Sequence, residues 1–329
     1  MNKYLILGSN SFAGASFVNY CVNKGNQVVG INRSAETSSI FLPVLDNPKK
    51  TNYCFYNLDI NKDSDEILDK IDEFKPDVIV DFAGQGMVAE SWDNPHQWYQ
   101  TNIVAKAKIH KFLIGKSYLK NYIRISTPEV YGSNDSLIDE SFSMNPSTPY
   151  AISHMATDLS ISALHKNFSF PASVGRFANF YGPHQQLYRI IPKTIISILN
   201  DDVLDLHGGG KSVRAFIHAD DVSNGIIKMV ENGRIGDTYH FSPEEFYSIK
   251  DVVMMVCDAL GADFNKHTKV TPDRAGKDFA YLMGSNKAKS ELKWNPEVDF
   301  QTGIKQTIEW VKNNLDGITK LSHDYEHKE

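Results

Sequence analysis

Short apolar runs recur along the N-terminal half of the chain, each followed by a break and then by a stretch with helical spacing. Lys3 to Leu7 is strand-like, and Gly8-Ser9-Asn10-Ser11-Phe12-Ala13-Gly14 reads as a turn. From Ala15 to Lys24 the apolar positions Phe17, Val18, Cys21 and Val22 line one helix face, and Gly25 is a natural stop. Gln27 to Asn32 predicts a second buried strand, Asn52 to Leu58 a third, Val78 to Phe82 a fourth and Tyr122 to Ser126 a later one. A helix is expected from about Asp63 to Phe74. Strands alternating with helices at this spacing predict an α/β fold with a parallel, doubly wound sheet and right-handed connections.

After about Phe170 the pattern loosens. Gly208-Gly209-Gly210 marks a loop, and Val213 to His218 predicts a strand returning to the sheet. From about Ser248, short helices and loops lead to the amphipathic segment Phe300 to Asn314. The expected organisation is a larger domain over residues 1–174, with a returning segment near 212–242, and a smaller C-terminal α/β lobe over 175–329. The polar residues Ser322 to Glu329 are expected to fray.

Composition narrows the function classes. The chain has 329 residues, 41% of them hydrophobic and 22% charged, as in an ordinary globular protein. A net charge of -6 provides no basic field for nucleic acid. Cys21, Cys54 and Cys257 lack metal-ligand spacing, so no metal is expected, and they read as buried thiols in a reducing compartment. No apolar run approaches the roughly 18 residues of a membrane span. Met1 leads directly into a strand, so neither a signal peptide nor a membrane partner is expected, and the reading is soluble and cytoplasmic.

The first strand, the turn bearing Gly8 and Gly14, and the helix after it match a Rossmann dinucleotide fingerprint, with Ser11 where a middle glycine is usual. Such a turn lets a pyrophosphate approach the backbone at the positive helix N-terminus. NAD enzymes usually carry a carboxylate at the end of the second strand, whereas this chain has Asn32-Arg33-Ser34. Arg33 and Ser34 suit a 2′-phosphate, which favours NADP over NAD as cofactor.

Ser126-Thr127-Pro128-Glu129-Val130-Tyr131-Gly132 and Pro149-Tyr150-Ala151-Ile152-Ser153-His154 together resemble the active site of extended short-chain dehydrogenases/reductases acting on nucleotide sugars. The family motif is Tyr-x-x-x-Lys, and His154 stands at the lysine position. The resemblance, which runs from Lys3 to about Asn314, implies cofactor contacts at Gly8, Asn10, Ser11, Phe12, Ala13, Gly14, Asp59, Ile60, Ala83, Gln85, Asn102 and Phe177, and from Tyr150 and His154 themselves. It implies that Thr127 orients the sugar C4 hydroxyl and that Tyr150 is the base there. His154 would contact the nicotinamide ribose and, as an imidazolium, acidify Tyr150. On that reading a lysine at 154 would retain or raise turnover.

Glu129 makes the chain similar to 4,6-dehydratases, because a carboxylate at C5 and C6 can remove an acidified C5 proton and help expel the C6 hydroxyl. In dTDP-glucose dehydratases an aspartate precedes that glutamate; here the position is Pro128. The segments 32–34 and 83–85 are more similar to GDP-mannose 4,6-dehydratases. By the same resemblance Asn179, Arg214 and Arg274 would bind the nucleotide-diphosphate sugar, and the protein would be a homodimer through the helices holding Asn102 and Tyr150. An epimerase, a decarboxylase, a 4-reductase and a catalytically weak nucleotide-sugar-binding protein are the alternatives.

Overall fold

The computed structural model describes residues 2–141, 143–272 and 279–328. Seven parallel strands form the main sheet. In chain order they are β1 (Lys3–Leu7), β2 (Gln27–Asn32), β3 (Tyr53–Asn57), β4 (Val78–Asp81), β5 (Asn121–Ser126), β6 (Ala172–Phe177) and the late strand Thr238–Phe241. Across the sheet the order is Thr238–Phe241, β6, β5, β4, β1, β2, β3. The order reverses between β1 and β4, and the crevice at such a switch point is where open α/β sheets bind ligands.

Alternation along each strand feeds two cores. Tyr4 and Ile6 join Val78, Val80, Ile123 and Ile125 on the face covered by α1 (Phe12–Asn23) and the helix Ala219–Asn232. Leu5 and Leu7 join Val29, Ile31 and Ile79 on the other face, under α2 (Ser64–Phe74) and the helices Lys106–Leu113 and Pro149–Phe168. A third core holds the C-terminal lobe, where the helices Ile190–Leu199, Ile249–Leu260 and Phe300–Asn313 close over Tyr181 and Phe216.

Strand pairing and cysteine burial refine the sequence expectations. The main sheet includes all of β6, to Phe177, three residues beyond the expected boundary at 174, and the returning strand is Thr238–Phe241, within the expected segment near 212–242. Val213 to His218 does not join it: Val213–Arg214 pairs antiparallel with Tyr247–Ser248, and Phe216–His218 pairs with Asn179–Tyr181. A short apolar run specifies a strand but not its partner. Cys54 is exposed, because β3 is the edge strand, while Cys21 and Cys257 are buried. No helix among the described residues is long and apolar enough to cross a membrane.

Candidate active site

The Gly8–Gly14 turn closes at the switch point. Gly8 has φ +78°, and a Cβ there would lie 2.7 Å from the Ala83 nitrogen at the end of β4. Ser11 donates to the Gly8 carbonyl at 2.7 Å and accepts from the Gly14 amide at 3.2 Å, so it caps α1 where a glycine was expected. Phe12 and Ala13 then form the first turn of α1, whose positive end suits a phosphate. Asn10 and Asn32 both donate to the Ser34 carbonyl, at 2.9 and 3.1 Å, tying the 32–34 segment to the turn. This tight cradle, bounded by Ala83 and lacking a carboxylate at 32–34, fits a dinucleotide.

Other expected cofactor residues prove to have supporting duties. Asp59 accepts from the Asn61 amide at 2.8 Å, its own amide donates to Asp63, and Ile60 is buried in the core under α2. Asn102 accepts from the Gln85 amide at 2.9 Å and donates to the Gln85 carbonyl and Ser153 Oγ. Its side chain therefore braces the 83–85 loop against the helix Pro149–Phe168. Gly84 permits this approach, since a Cβ there would lie 2.8 Å from Asn102 Oδ1.

Of the tail expected to fray, Tyr325, His327 and Lys328 are docked. Gln85 Nε2 donates to the Lys328 carbonyl at 2.6 Å, and Lys328 Nζ reaches Ser34 Oγ at 3.2 Å. The His327 ring stacks on buried Trp98 at 5.4 Å, and Tyr325 meets Tyr188 edge-on at 5.3 Å. Two aromatic rings in an otherwise polar tail were the available signal for this docking.

On the opposite side of the crevice, Thr127 follows β5 and caps the short turn Pro128–Tyr131, accepting from the Glu129 amide at 3.3 Å. Thr148 caps the helix Pro149–Phe168, which begins with Pro149 and presents Tyr150 in its first turn. The Tyr150 phenol hydrogen-bonds the Thr127 side chain. Burial and then the Glu129 carboxylate hold that phenol above its ordinary value, opposed by the Thr127 bond, Arg124 and Arg189. His154 lies one turn on, its ring 4.5 Å from that of Tyr150. Thr127, Glu129, Tyr150 and His154 are thus brought together. Burial, with Arg124 and Lys106 nearby, pushes His154 well below its ordinary range, which disfavours the imidazolium form that would acidify Tyr150.

Beneath this face lies a charged floor that the motifs did not indicate. Asp81, at the end of β4, binds Lys106 at 2.7 Å, Tyr122 at 2.9 Å and Arg124 at 3.5 Å. Burial alone would raise the Asp81 carboxyl, but Lys106, Arg124 and Tyr122 outweigh it and hold it below its ordinary value. Lys106 also donates to the Ala83 carbonyl at 2.5 Å. Arg124 reaches His154 Nδ1 at 3.0 Å and lies 3.9 Å from Asp158, which binds Ser126 at 2.8 Å and Arg176 at 2.9 Å. Arg176 in turn donates to Tyr131, and Tyr131 meets His240 at 2.7 Å. Charged residues inside two apolar runs, Asp81 in Val78 to Phe82 and Arg124 in Tyr122 to Ser126, were the sequence trace of this floor.

In the lobe, Asn179 is exposed at the start of its short strand. Arg214 lies over the Tyr281 ring at 4.2 Å and donates to the Val213 and Phe279 carbonyls. The Phe177 ring is stacked on Phe241 at 4.5 Å within the core, so its side chain is a packing element rather than a wall of the crevice. Arg274 lies outside the described residues. No metal-holding cluster occurs among the described residues.

Comparison with known proteins agrees with this geometry. The family profile described as GDP-mannose 4,6 dehydratase matches residues 5–307. The dTDP-glucose 4,6-dehydratase of Xanthomonas campestris pv. campestris is 27% identical over 98% of both chains. That of Mycobacterium tuberculosis is 31% identical over 72% of each. Among solved structures, the dTDP-glucose 4,6-dehydratase DesIV of Streptomyces venezuelae, with NAD and TYD bound, superposes with a TM-score of 0.88 at 27% identity, covering 96% of this chain and 98% of that one. The UDP-glucose 4-epimerase of Thermotoga maritima, at 22% identity and a TM-score of 0.86 over 95% and 99% of the chains, shares the fold.

Proposed function

The chain belongs to the GDP-mannose 4,6 dehydratase family, and from that premise we propose that it is a nucleotide-sugar 4,6-dehydratase, converting an NDP-hexose to the NDP-4-keto-6-deoxy sugar. The observation that carries the reading is the grouping of Thr127, Glu129, Tyr150 and His154 on one side of the crevice, with the Tyr150 phenol hydrogen-bonded to Thr127 and near enough to the Glu129 carboxylate to be raised by its charge. It puts a base for O4 and a carboxylate for C5 and C6 on one face. The Gly8–Gly14 turn would hold a nicotinamide dinucleotide, which would supply hydride acceptance from C4 and return to C6. Tyr150 takes the O4 proton while Thr127 orients O4. Once C4 is a ketone, the C5 proton is acidic, and Glu129 removes it. With Pro128 beside it unable to donate, Glu129 also returns a proton to the departing C6 hydroxide, which leaves as water. C5 is then reprotonated by the equivalent of the proton that Tyr150 took from O4, so the substrate loses one water and no net redox occurs.

DesIV is named with NAD bound. For this chain NADP is proposed, supported by Arg33 and Ser34 where a carboxylate would repel a 2′-phosphate. Asn179 and Arg214 are proposed to hold the substrate diphosphate, with Arg274 as a further arginine. A homodimer through the helices bearing Asn102 and Tyr150 is also proposed, supported by exposed Val104, Ile152 and Leu159 on them.

The test is mass spectrometry of the purified protein incubated with GDP-, UDP-, dTDP- and CDP-hexoses. Loss of one water from one substrate is expected and names the base. An isomer of unchanged mass would mean an epimerase, and no product from any sugar would mean binding without turnover.

A further inference from the structure

We infer that Arg124 and His154 act together in place of a single lysine: Arg124, fixed from below by Asp81 and Asp158, holds His154 as the Nε2–H tautomer and supplies the positive charge that Tyr150 needs. The inference rests on the proposed reading of the Tyr150 face and identifies Arg124 as its positioning residue. A guanidinium has donors and no acceptor. Its 3.0 Å contact to His154 Nδ1 therefore requires that nitrogen to accept, which leaves the imidazole proton on Nε2. One ring nitrogen being bound in this way fixes both the tautomer and the ring orientation.

The charge follows from the same geometry. His154 faces Tyr150 on its own helix, Arg124 on β5 and the charge of Lys106 on the helix Lys106–Leu113, while Asp81 and Asp158 pair with those cations. A second cation at 154 would stand against Arg124 at hydrogen-bond distance, so the pair carries one charge, and Arg124 holds it. Asp81 and Asp158 anchor the guanidinium from two sides. Arg124 opposes the Glu129 charge on the Tyr150 phenol, the task a lysine at 154 would otherwise have.

This reverses the expectation for a lysine at 154. An ammonium placed there meets Arg124, so H154K is expected to lose about a hundredfold in turnover, the scale of impaired general acid–base catalysis. H154K/R124M exchanges one cation for another within the same cluster, keeping Asp81 and Asp158 paired, and is expected to fold and recover most of that loss. R124K keeps the charge but loses the fork, and is expected to retain the native melt with a shifted pH profile of turnover.

The direct readout is ¹⁵N NMR of the histidine-labelled full chain, whose eleven histidines are resolved at position 154 by comparison with H154N. His154 is expected to remain neutral, protonated at Nε2, across the roughly pH 5 to 8 window in which free histidine titrates. A proton on Nδ1, an imidazolium within that window, or H154K matching the wild type would overturn the inference. The NMR result stands whether or not any sugar is dehydrated, so failure of the dehydratase reading and failure of this one are separable.

Discussion

At the floor beneath Tyr150, Asp81, Lys106, Arg124, Asp158 and Arg176 are all 4% exposed or less, and each meets an opposite charge. At the rim of the dinucleotide crevice, Ser34, Gln97, His327 and Lys328 meet through contacts that water reaches. The two regions adjoin at Ala83 and Gln85, yet they respond oppositely to change. In the floor, removing one partner leaves another charge buried and uncompensated. At the rim, solvent replaces whatever is lost. On the proposed reading the floor sets the chemistry, while the rim tunes cofactor affinity.

The largest expected effect is in the floor. D81N should destabilise the fold by about 3–5 kcal/mol, because Lys106 and Arg124 lose their shared carboxylate, and denaturant unfolding would measure this. The pH dependence has a defined sign. Asp81 is held below its ordinary value in the fold. Its contribution is therefore complete above the unfolded carboxylate value of about 3.9 and is lost as pH falls through the folded value. Melting temperature in acid should fall more steeply for the wild type than for D81N. Parallel curves would show that the floor is not what fails in acid.

The rim should respond more weakly. R33A is expected to weaken NADP binding about tenfold, on the scale of a lost hydrogen bond between charged groups, and to leave NAD nearly unchanged by calorimetry. Equal losses for both would remove Arg33 from 2′-phosphate recognition. Truncation after Leu321 should alter cofactor affinity least, by the severalfold that about 0.5–1.5 kcal/mol per hydrogen bond implies, with no change in turnover of the loaded enzyme. A large loss of stability on truncation would place the tail with the floor.

The same contrast explains what could be read from the chain. The β1–turn–α1–β2 unit is local, and its glycines, cap and helix spacing sit within a few residues of one another. Tyr150 and His154 are one helical turn apart, and Thr127 and Glu129 flank a single proline. The floor is written differently. Lys106 is 25 residues from Asp81, and Arg124 is 43 from Asp81 and 30 from His154. Those pairings exist only once β4 and β5 are neighbours. His154 could be identified as a departure, but its charge state could not, because that depends on Arg124. Asn102 and Phe177 stood at family positions, yet only packing shows that one braces a loop and the other fills the core. The docked tail spans 243 residues from Lys328 to Gln85 and has no motif.

The central claim is an internal dehydration with Tyr150 at O4 and Glu129 at C5 and C6. It is tested most directly with the active NDP-hexose carrying deuterium at C4, followed by NMR of the product. The deuterium is expected at C6 of a 4-keto-6-deoxy sugar, and E129Q is expected to form none of this product. Deuterium remaining at C4 of a sugar that has lost no water, or a dehydrated product from E129Q at the wild-type rate, would contradict it.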